Sequence, residues 1–216
     1  MTAFVSHGTG ESVVVLSPKT EPIVAVLADR FRTLVFERGV SAGDVVSALE
    51  ELGVDRTAVI GVSHGAVTAL TLAGGDRRID ALVLLSPLGV ERYLLEGRGL
   101  AEWEFPVLIL GGEDDPLVPV DTLEALNEAI PSSTLGLLPG CGHDLLIDAP
   151  DTVLPMVHEY LRARYLHVVH GHDAAEGTVM LQLERRPPWV DLAPYDEADE
   201  DPSVPDPGDQ EVGPNP

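Results

Sequence analysis

Short apolar runs that alternate with amphipathic helical segments constrain the fold of this 216-residue chain more than any other feature. The runs are short and rich in β-branched residues, which is typical of buried strands. Strands that are apolar on both faces occur almost entirely in parallel sheets, because crossover helices cover both sides of such a sheet. The alternation therefore predicts an α/β fold, with a mostly parallel sheet and helices on both faces.

The same periodicity gives approximate element boundaries. Apolar side chains at helical spacing follow Asp44, and Gly53 stands where a helix C-cap is expected. The predicted strands are Ser12–Leu16, Thr33–Phe36, Thr57–Val62, Ile79–Leu85, Val107–Leu110 and Thr134–Leu138, and the predicted helices are Asp44–Leu52, Ala66–Ala73, Thr122–Ala129 and Asp151–Tyr165. We therefore expect the core of the protein to span residues 1–165.

Two C-terminal segments differ from this core in composition. Residues 166–186 contain strand-like runs at Leu166–His170 and Thr178–Leu183, which predict an extra β-hairpin. Residues 187–216 contain eight prolines, nine acidic residues and no basic residue, which predicts a flexible acidic tail. The extension is a candidate surface for pairing with a second copy of the chain.

Charge and cysteine content exclude several classes of partner. The chain has 36 acidic and 13 basic residues, a net charge of −23, so its surface repels the phosphates of nucleic acids. No apolar run approaches the roughly 18–20 residues of a membrane helix, and the N-terminus lacks the pattern of a secretory signal. A single cysteine suits a reducing compartment. We expect a cytoplasmic protein that binds neither nucleic acid nor membrane.

The pentapeptide Gly61-Val62-Ser63-His64-Gly65 is the strongest chemical signal. It joins a predicted strand to a predicted helix, the context in which Gly-x-Ser-x-Gly lifts a serine hydroxyl above the end of a sheet. The amides at the start of the helix favour negative charge at the same point. We therefore predict that Ser63 is a nucleophile rather than an incidental serine in a tight turn.

A serine needs a base and an acid to become a strong nucleophile. His143 lies in a glycine-rich loop after the last predicted strand and is the candidate base. Glu113, Asp114 and Asp115 follow another strand and supply the candidate carboxylates. Because the carboxyl ends of parallel strands meet at one edge of the sheet, all three elements are expected to converge there.

Together these stretches resemble the α/β-hydrolase fold superfamily, in its broad group of esterases, non-haem haloperoxidases and C–C hydrolases. The resemblance covers about three quarters of the chain, including Gly8–Val15, Ala48–Gly65, His143-Asp144 and the final helix. It aligns Asp115, rather than Asp114, with the triad acid of the family. It also assigns one oxyanion donor to the backbone N–H of His64.

The sequence departs from this family where the second oxyanion donor is expected. The family carries His-Gly after the strand that corresponds to Val13–Leu16, whereas this chain has Ser17-Pro18, and proline has no N–H. The N–H of Lys19 is the nearest substitute. The loop after Phe36 is also shortened, and residues 87–105 replace the usual cap with a minimal lid.

Within this segment Tyr93, Leu94 and Trp103 are candidate substrate contacts, although ordinary core anchors would give the same pattern. Cys141 is interpreted as a small filler rather than a nucleophile. His167, His170, His172 and Asp173 form a cluster that could bind a divalent metal. Strand alternation would turn its first two members to opposite faces, so no metal site and no cofactor are predicted.

The leading hypothesis is a serine hydrolase that cleaves a small-molecule carboxylic ester, thioester or lactone through an acyl-enzyme. One alternative keeps the fold but changes the reaction to C–C bond hydrolysis, acyl transfer or cyclisation. Another is a catalytically degenerate hydrolase that acts as a binding protein, because the oxyanion loop and the cap are both reduced.

Overall fold

A seven-stranded sheet, parallel except for one edge strand, organises the molecule. A computed structural model describes residues 4–17, 20–96 and 99–171, and the side chains within them as far as residue 163. The strands are β1 (Phe4–His7), β2 (Glu11–Leu16), β3 (Phe31–Phe36), β4 (Thr57–Val62), β5 (Ile79–Leu85), β6 (Val107–Gly112) and β7 (Ser133–Leu138). Their order is β1-β3-β2-β4-β5-β6-β7, and only β1 pairs antiparallel with its neighbour among these described strands.

Helices connect the parallel strands. They are α1 (Glu21–Leu27), α2 (Ala42–Glu51), α3 (Gly65–Gly75), α4 (Glu91–Glu96), α5 (Val120–Ala129), α6 (Leu145–Asp148) and α7 (Pro150–Gly171), with a 3₁₀ turn at Leu100–Glu102. The described residues belong to one compact unit. Among the helices that are described, none is both long and apolar enough to cross a membrane.

The central strands are buried on both faces. Val13–Val15 in β2, Ala58–Ile60 in β4, Ala81–Leu84 in β5 and Val107–Leu110 in β6 expose no measurable surface. This double burial is why their sequences are continuous apolar runs rather than alternating ones. The predicted α/β class and the mostly parallel sheet are confirmed.

All six predicted strands are present, each with bounds within two residues of the prediction. The sequence did not predict β1, α1, α4 or α6 as elements with bounds. Strand β1 lies at the edge of the sheet and is largely exposed, so it lacks the apolar run that marks a buried strand. Helix α1 has a proline in its first turn, which is favourable at that position but reads as a break in the sequence.

The C-terminal prediction requires a correction. Helix α7 continues to Gly171, so Leu166–His170 is helical and does not form the first strand of a hairpin. No glycine or proline interrupts the chain between Pro155 and Gly171, so nothing in the backbone ends the helix earlier. The second predicted strand, Thr178–Leu183, and the tail at 187–216 lie outside the described residues.

Candidate active site

Ser63 lies in a sharp turn between β4 and α3. Its φ of +52° is in the left-handed region, which side chains other than glycine seldom adopt. Three hydrogen bonds hold the turn: Ser63 N–H donates to Leu85 O at 2.9 Å, and Ser63 O accepts from Ala66 N–H at 3.0 Å and Leu88 N–H at 3.2 Å. The surrounding strands and helix thus fix the strained conformation that presents the hydroxyl.

The two glycines of the motif let α3 approach the sheet. A Cβ on Gly61 would lie 2.7 Å from the Ala69 Cβ and 2.8 Å from the Ala66 Cα, so the helix packs directly on the β4 backbone. A Cβ on Gly65 would lie 2.0 Å from the carbonyl oxygen of Leu16 at the end of β2. Close packing of α3 on β4 and β2 therefore requires glycine on both sides of Ser63.

The structure brings the predicted nucleophile, base and acid into one hydrogen-bonded chain. Ser63 Oγ lies 2.8 Å from His143 Nε2. His143 Nδ1 lies 2.8 Å from Asp115 Oδ2. An Nδ1–H that donates to the carboxylate leaves Nε2 as an acceptor for the serine hydroxyl, which is the arrangement that general-base catalysis requires.

Asp115 is the carboxylate that reaches His143. Its side chain is almost fully buried, and Oδ1 accepts hydrogen bonds from Leu117 N–H at 2.8 Å and Val118 N–H at 3.1 Å. Asp114 is exposed, and its backbone N–H donates to Cys141 O. The two backbone donors orient Asp115 so that its other oxygen faces the imidazole.

Close packing of two loops explains why Asp115 and His143 meet although 28 residues separate them. A Cβ on Gly112 would lie 2.1 Å from Cys141 O, so the end of β6 and the loop after β7 touch through their backbones. Glu113 N–H donates to Leu138 O at 3.0 Å, which extends the pairing of the two strands into the loops. The glycine at the end of β6 thus lets the loops that carry the acid and the base approach each other.

Cys141 lies in the same loop but lacks the character of a nucleophile. Its side chain is buried. Burial raises the pKa of the Cys141 thiol, and the negative charges of Asp148 and Asp114 raise it further. A raised pKa lowers the thiolate fraction near neutral pH, and the thiolate is the reactive form. The residue therefore fits the predicted role of a small filler.

The start of α3 faces the reacting hydroxyl. His64 is the N-cap of this helix, and backbone N–H groups at a helix start have no intrahelical acceptor. The His64 side chain is exposed, with Nδ1 3.5 Å from Ser63 Oγ. Lys19, the predicted second oxyanion donor, lies outside the described residues.

A cavity of about 260 Å³ opens beside Ser63. Its wall is built from the end of β2, the loop after β3 and the first turn of α3. The lining residues are Leu16, Ser17, residues 37–40, Ser63, His64, Gly65 and Thr68. The loop after Phe36, which is shorter than in the family, was not predicted to line a cavity. The loop follows a parallel strand at the same edge of the sheet as Ser63, and this placement could have indicated from the sequence that it lines the site.

The three candidate substrate contacts lie elsewhere. Tyr93 is buried, and its hydroxyl hydrogen bonds to Thr71 Oγ1 on α3. Leu94 and Trp103 pack against the main apolar core, and Trp103 stacks on Phe105. None of the three lines the cavity. This arrangement favours the alternative interpretation, in which residues 87–105 carry core anchors.

Among the side chains that the structure describes, no three His, Cys, Asp or Glu residues gather as metal ligands.

A family model described as "alpha/beta hydrolase fold" matches residues 89–150, a range that includes Asp115 and His143. Over 131 residues the chain is 34% identical to a poly(3-hydroxyalkanoate) depolymerase from Ectopseudomonas oleovorans. That alignment covers 53% of this chain and 46% of the relative, so the chain spans about half the length of the curated relative that it matches.

Solved structures share the fold at low sequence identity. A meta-cleavage product hydrolase from Pseudomonas fluorescens superimposes with a TM-score of 0.64 at 16% identity, covering 75% of this chain and 94% of the other. An esterase from a Rhodococcus species superimposes with a TM-score of 0.63 at 18% identity, covering 74% and 94%. A bromoperoxidase from Bacillus anthracis gives a TM-score of 0.64 at 17% identity, with the same coverage. At these identities the likeness concerns the fold.

Proposed function

We propose that this chain, which has the fold of the α/β-hydrolase superfamily, is a serine hydrolase that cleaves carboxylic esters, thioesters or lactones. One observation carries the proposal: the continuous hydrogen-bonded chain from Ser63 through His143 to the buried carboxylate of Asp115. The family match and the hydrolases among the similar structures support hydrolysis as the reaction class.

In the first half-reaction Ser63 Oγ attacks the substrate carbonyl carbon while His143 Nε2 takes the hydroxyl proton. Asp115 holds the imidazole in the required tautomer and stabilises the imidazolium that forms. The tetrahedral intermediate then collapses: the bond to the leaving group breaks, and His143 returns the proton to the leaving oxygen or sulfur. An acyl group remains on Ser63.

In the second half-reaction water attacks the acyl-enzyme. His143 takes a proton from the water and returns it to Ser63 Oγ as the acid product leaves. Negative charge develops on the carbonyl oxygen in both steps. We assign its stabilisation to the His64 N–H at the start of α3, with the Lys19 N–H as the second donor. A missing donor typically lowers kcat by about 100- to 1,000-fold. Because Pro18 has no N–H, we expect the rate to depend on the donor that Lys19 supplies in its place.

The relative from Ectopseudomonas oleovorans supports an oxygen ester as the bond that is cleaved. A poly(3-hydroxyalkanoate) joins its hydroxy acids through such esters, and this relative has the highest sequence identity among the proteins described above. The alternative of C–C bond hydrolysis would use the same three residues, but the meta-cleavage product hydrolase that shares the fold is only 16% identical to this chain, so its likeness does not favour that reaction. We therefore place ester cleavage first.

Active-site labelling with a fluorophosphonate tests the proposal. The wild-type protein is expected to react with a 1:1 stoichiometry at Ser63, identified by peptide mass spectrometry, and to hydrolyse p-nitrophenyl butyrate. Ser63→Ala should abolish both reactions, and His143→Ala should lower both by at least about 1,000-fold. Correctly folded wild-type protein that is neither labelled at Ser63 nor active on any ester would contradict the proposal.

A further inference from the structure

Two histidine side chains lie beside the hydroxyl of Ser63. His143 Nε2 lies 2.8 Å from Ser63 Oγ, and His64 Nδ1 lies 3.5 Å from the same oxygen. The proposed mechanism uses the first of these nitrogens, whereas it uses only the backbone N–H of His64. The His64 imidazole is therefore a second nitrogen ligand next to the nucleophile, and the proposed reaction gives it no role.

Both nitrogens can offer a lone pair to a metal ion. When His143 Nδ1–H donates to Asp115 Oδ2, the lone pair of the ring lies on Nε2. A carboxylate that accepts from the second nitrogen of a histidine ligand is the usual support of a zinc site, because it fixes the ring and makes the ligand more basic. His64 is exposed, so water can solvate a proton on its Nε2 while Nδ1 keeps its lone pair.

The distances around Ser63 Oγ suit tetrahedral zinc. In a tetrahedron with zinc–ligand bonds of about 2.0–2.1 Å, the ligand atoms lie roughly 3.3 Å apart. The distances of 2.8 and 3.5 Å from the two nitrogens to Ser63 Oγ lie on either side of this value. The exposed ring of His64 has room for the remaining adjustment, whereas Asp115 holds the ring of His143.

We propose that His64 Nδ1 and His143 Nε2 bind a zinc ion at Ser63, and that this ion reversibly inhibits the enzyme. The binding site depends on the two imidazoles, whereas the inhibition also rests on the proposed function. The ion takes the lone pair of His143 Nε2, so this nitrogen no longer accepts the proton of Ser63 Oγ. Ser63 Oγ and water complete the four-coordinate geometry that zinc prefers.

The surroundings of the site favour an exchangeable cation. The chain has a net charge of −23, which attracts cations, and the buried carboxylate of Asp115 lies directly behind His143. Among the side chains that the structure describes, no third His, Cys, Asp or Glu joins the two histidines. Structural zinc sites have four protein ligands, whereas this site has two imidazoles and a hydroxyl. We therefore expect EDTA to remove the ion.

Titration with ZnCl₂ tests the site by three readouts: calorimetry, the rate of fluorophosphonate labelling and the hydrolysis of p-nitrophenyl butyrate. Zinc should slow labelling and hydrolysis by the wild type, and EDTA should restore both. His64→Gln keeps the backbone N–H, and it should weaken zinc binding and raise the half-inhibiting concentration by at least about tenfold, relative to its own zinc-free rate. His7→Gln is the matched control, because His7 is an exposed histidine on edge strand β1. Mg²⁺ and Ca²⁺ should not inhibit, because they prefer oxygen ligands.

Equal inhibition of the wild type and His64→Gln would show that the site is wrong. The same holds if inhibition is lost when His167, His170 and His172 are replaced by glutamine, because the ion then acts through the C-terminal histidines. Labelling of Ser63 that zinc does not slow would overturn the site and leave the proposed function standing. Zinc binding that depends on His64, in a protein whose Ser63 reacts with neither esters nor fluorophosphonates, would support the site but overturn the proposed function and the inhibition.

Discussion

At the scale of single residues, two serines stand in backbone conformations that glycine usually occupies. Ser63 and Ser86 have φ values of +52° and +42°, and within the described ranges no other residue except glycine has a positive φ. Each directly follows a central strand and donates its N–H to the next strand, Ser63 to Leu85 O and Ser86 to Leu110 O. Strain of this kind costs about 1–3 kcal/mol per residue and persists where surrounding contacts enforce it.

The adjacent aspartates 114 and 115 provide a matched test of the acid. Asp115→Asn removes the charge that stabilises the imidazolium, so kcat on p-nitrophenyl butyrate should fall by roughly 10⁴-fold. Asp114→Asn alters an exposed carboxyl one residue away and should leave kcat within about twofold of the wild type. Equal effects of the two substitutions would argue against a specific role for Asp115.

The sequence allowed Ser63 and His143 to be named as single candidates, because each stands in a short motif beside glycines. The acid was less certain from the residues alone, since Glu113, Asp114 and Asp115 all follow β6. What distinguishes Asp115 is the pair of N–H donors at Leu117 and Val118, and that loop conformation has no direct signature in the sequence. Thr68 was not predicted to line the cavity for a similar reason. It lies on α3, and it forms part of the wall only because the loop after β3 packs against the helix.

At the scale of elements, close packing requires glycine at the start of α3 (Gly65) but not at its end (Gly75). Gly65→Ala would put a Cβ 2.0 Å from Leu16 O, so α3 or β2 would have to move. We expect a loss of about 3 kcal/mol in the free energy of unfolding and a large loss of Ser63 labelling. Gly75→Ala, with no atom within 4 Å of the added carbon, should change stability by less than about 1 kcal/mol. Urea unfolding followed by circular dichroism measures both.

The turn from α3 into β5 depends on an ion pair. Arg78 Nε and Nη2 donate to the Asp76 carboxylate, and Arg78 O accepts from Thr57 N–H at the start of β4. The Arg78 guanidinium lowers the pKa of Asp76 below its ordinary value of 3.8, because it hydrogen bonds to the charged form. A lowered pKa in the folded state stabilises the protein above the unfolded-state pKa, and this contribution is lost as the pH falls through the folded-state value.

Asp76→Asn should therefore lower the free energy of unfolding by about 1–2 kcal/mol at pH 7. The difference from the wild type should begin to shrink below the ordinary pKa of 3.8, where the unfolded-state carboxyl becomes protonated, and should continue to shrink as the pH falls through the lowered folded-state pKa. Asp29→Asn serves as a control, since Asp29 is an exposed aspartate just after α1. A difference that stays constant between pH 7 and pH 2.5 would contradict the role given to the charge.

Element prediction from the sequence succeeded where burial dictated composition. Strands β2, β4, β5 and β6 had to be apolar on both faces, and that pattern identified them. Edge strand β1 was not predicted because it is largely exposed to solvent, so its sequence includes polar residues and lacks an apolar run. The end of α7 was misplaced because Val168 and Val169 favour strands, whereas the preceding turns of an established helix favour continuation.

At the scale of the whole molecule, net charge opposes compactness. A charge of −23 on 216 residues repels itself, and salt screens that repulsion. We expect the melting temperature at pH 7.5 to rise by a few degrees between 10 and 300 mM NaCl. The same step near the isoelectric point, about pH 4.4, should have a much smaller effect because the net charge is then close to zero. Equal shifts at both pH values would contradict this account.

The anchoring of residues 87–105 on the core has a kinetic consequence. Tyr93 is buried and tied to α3, and Trp103 stacks on Phe105 against the core, so opening this segment would require breaking core contacts. Under the proposed function, turnover should therefore not depend on a prior opening of the part of this segment that the structure describes. The rate should depend hyperbolically on ester concentration, with no abrupt increase where the ester exceeds its solubility limit and forms droplets. Such an increase is expected of enzymes whose lid is displaced by the droplets. Solvent viscosity should likewise leave kcat unchanged.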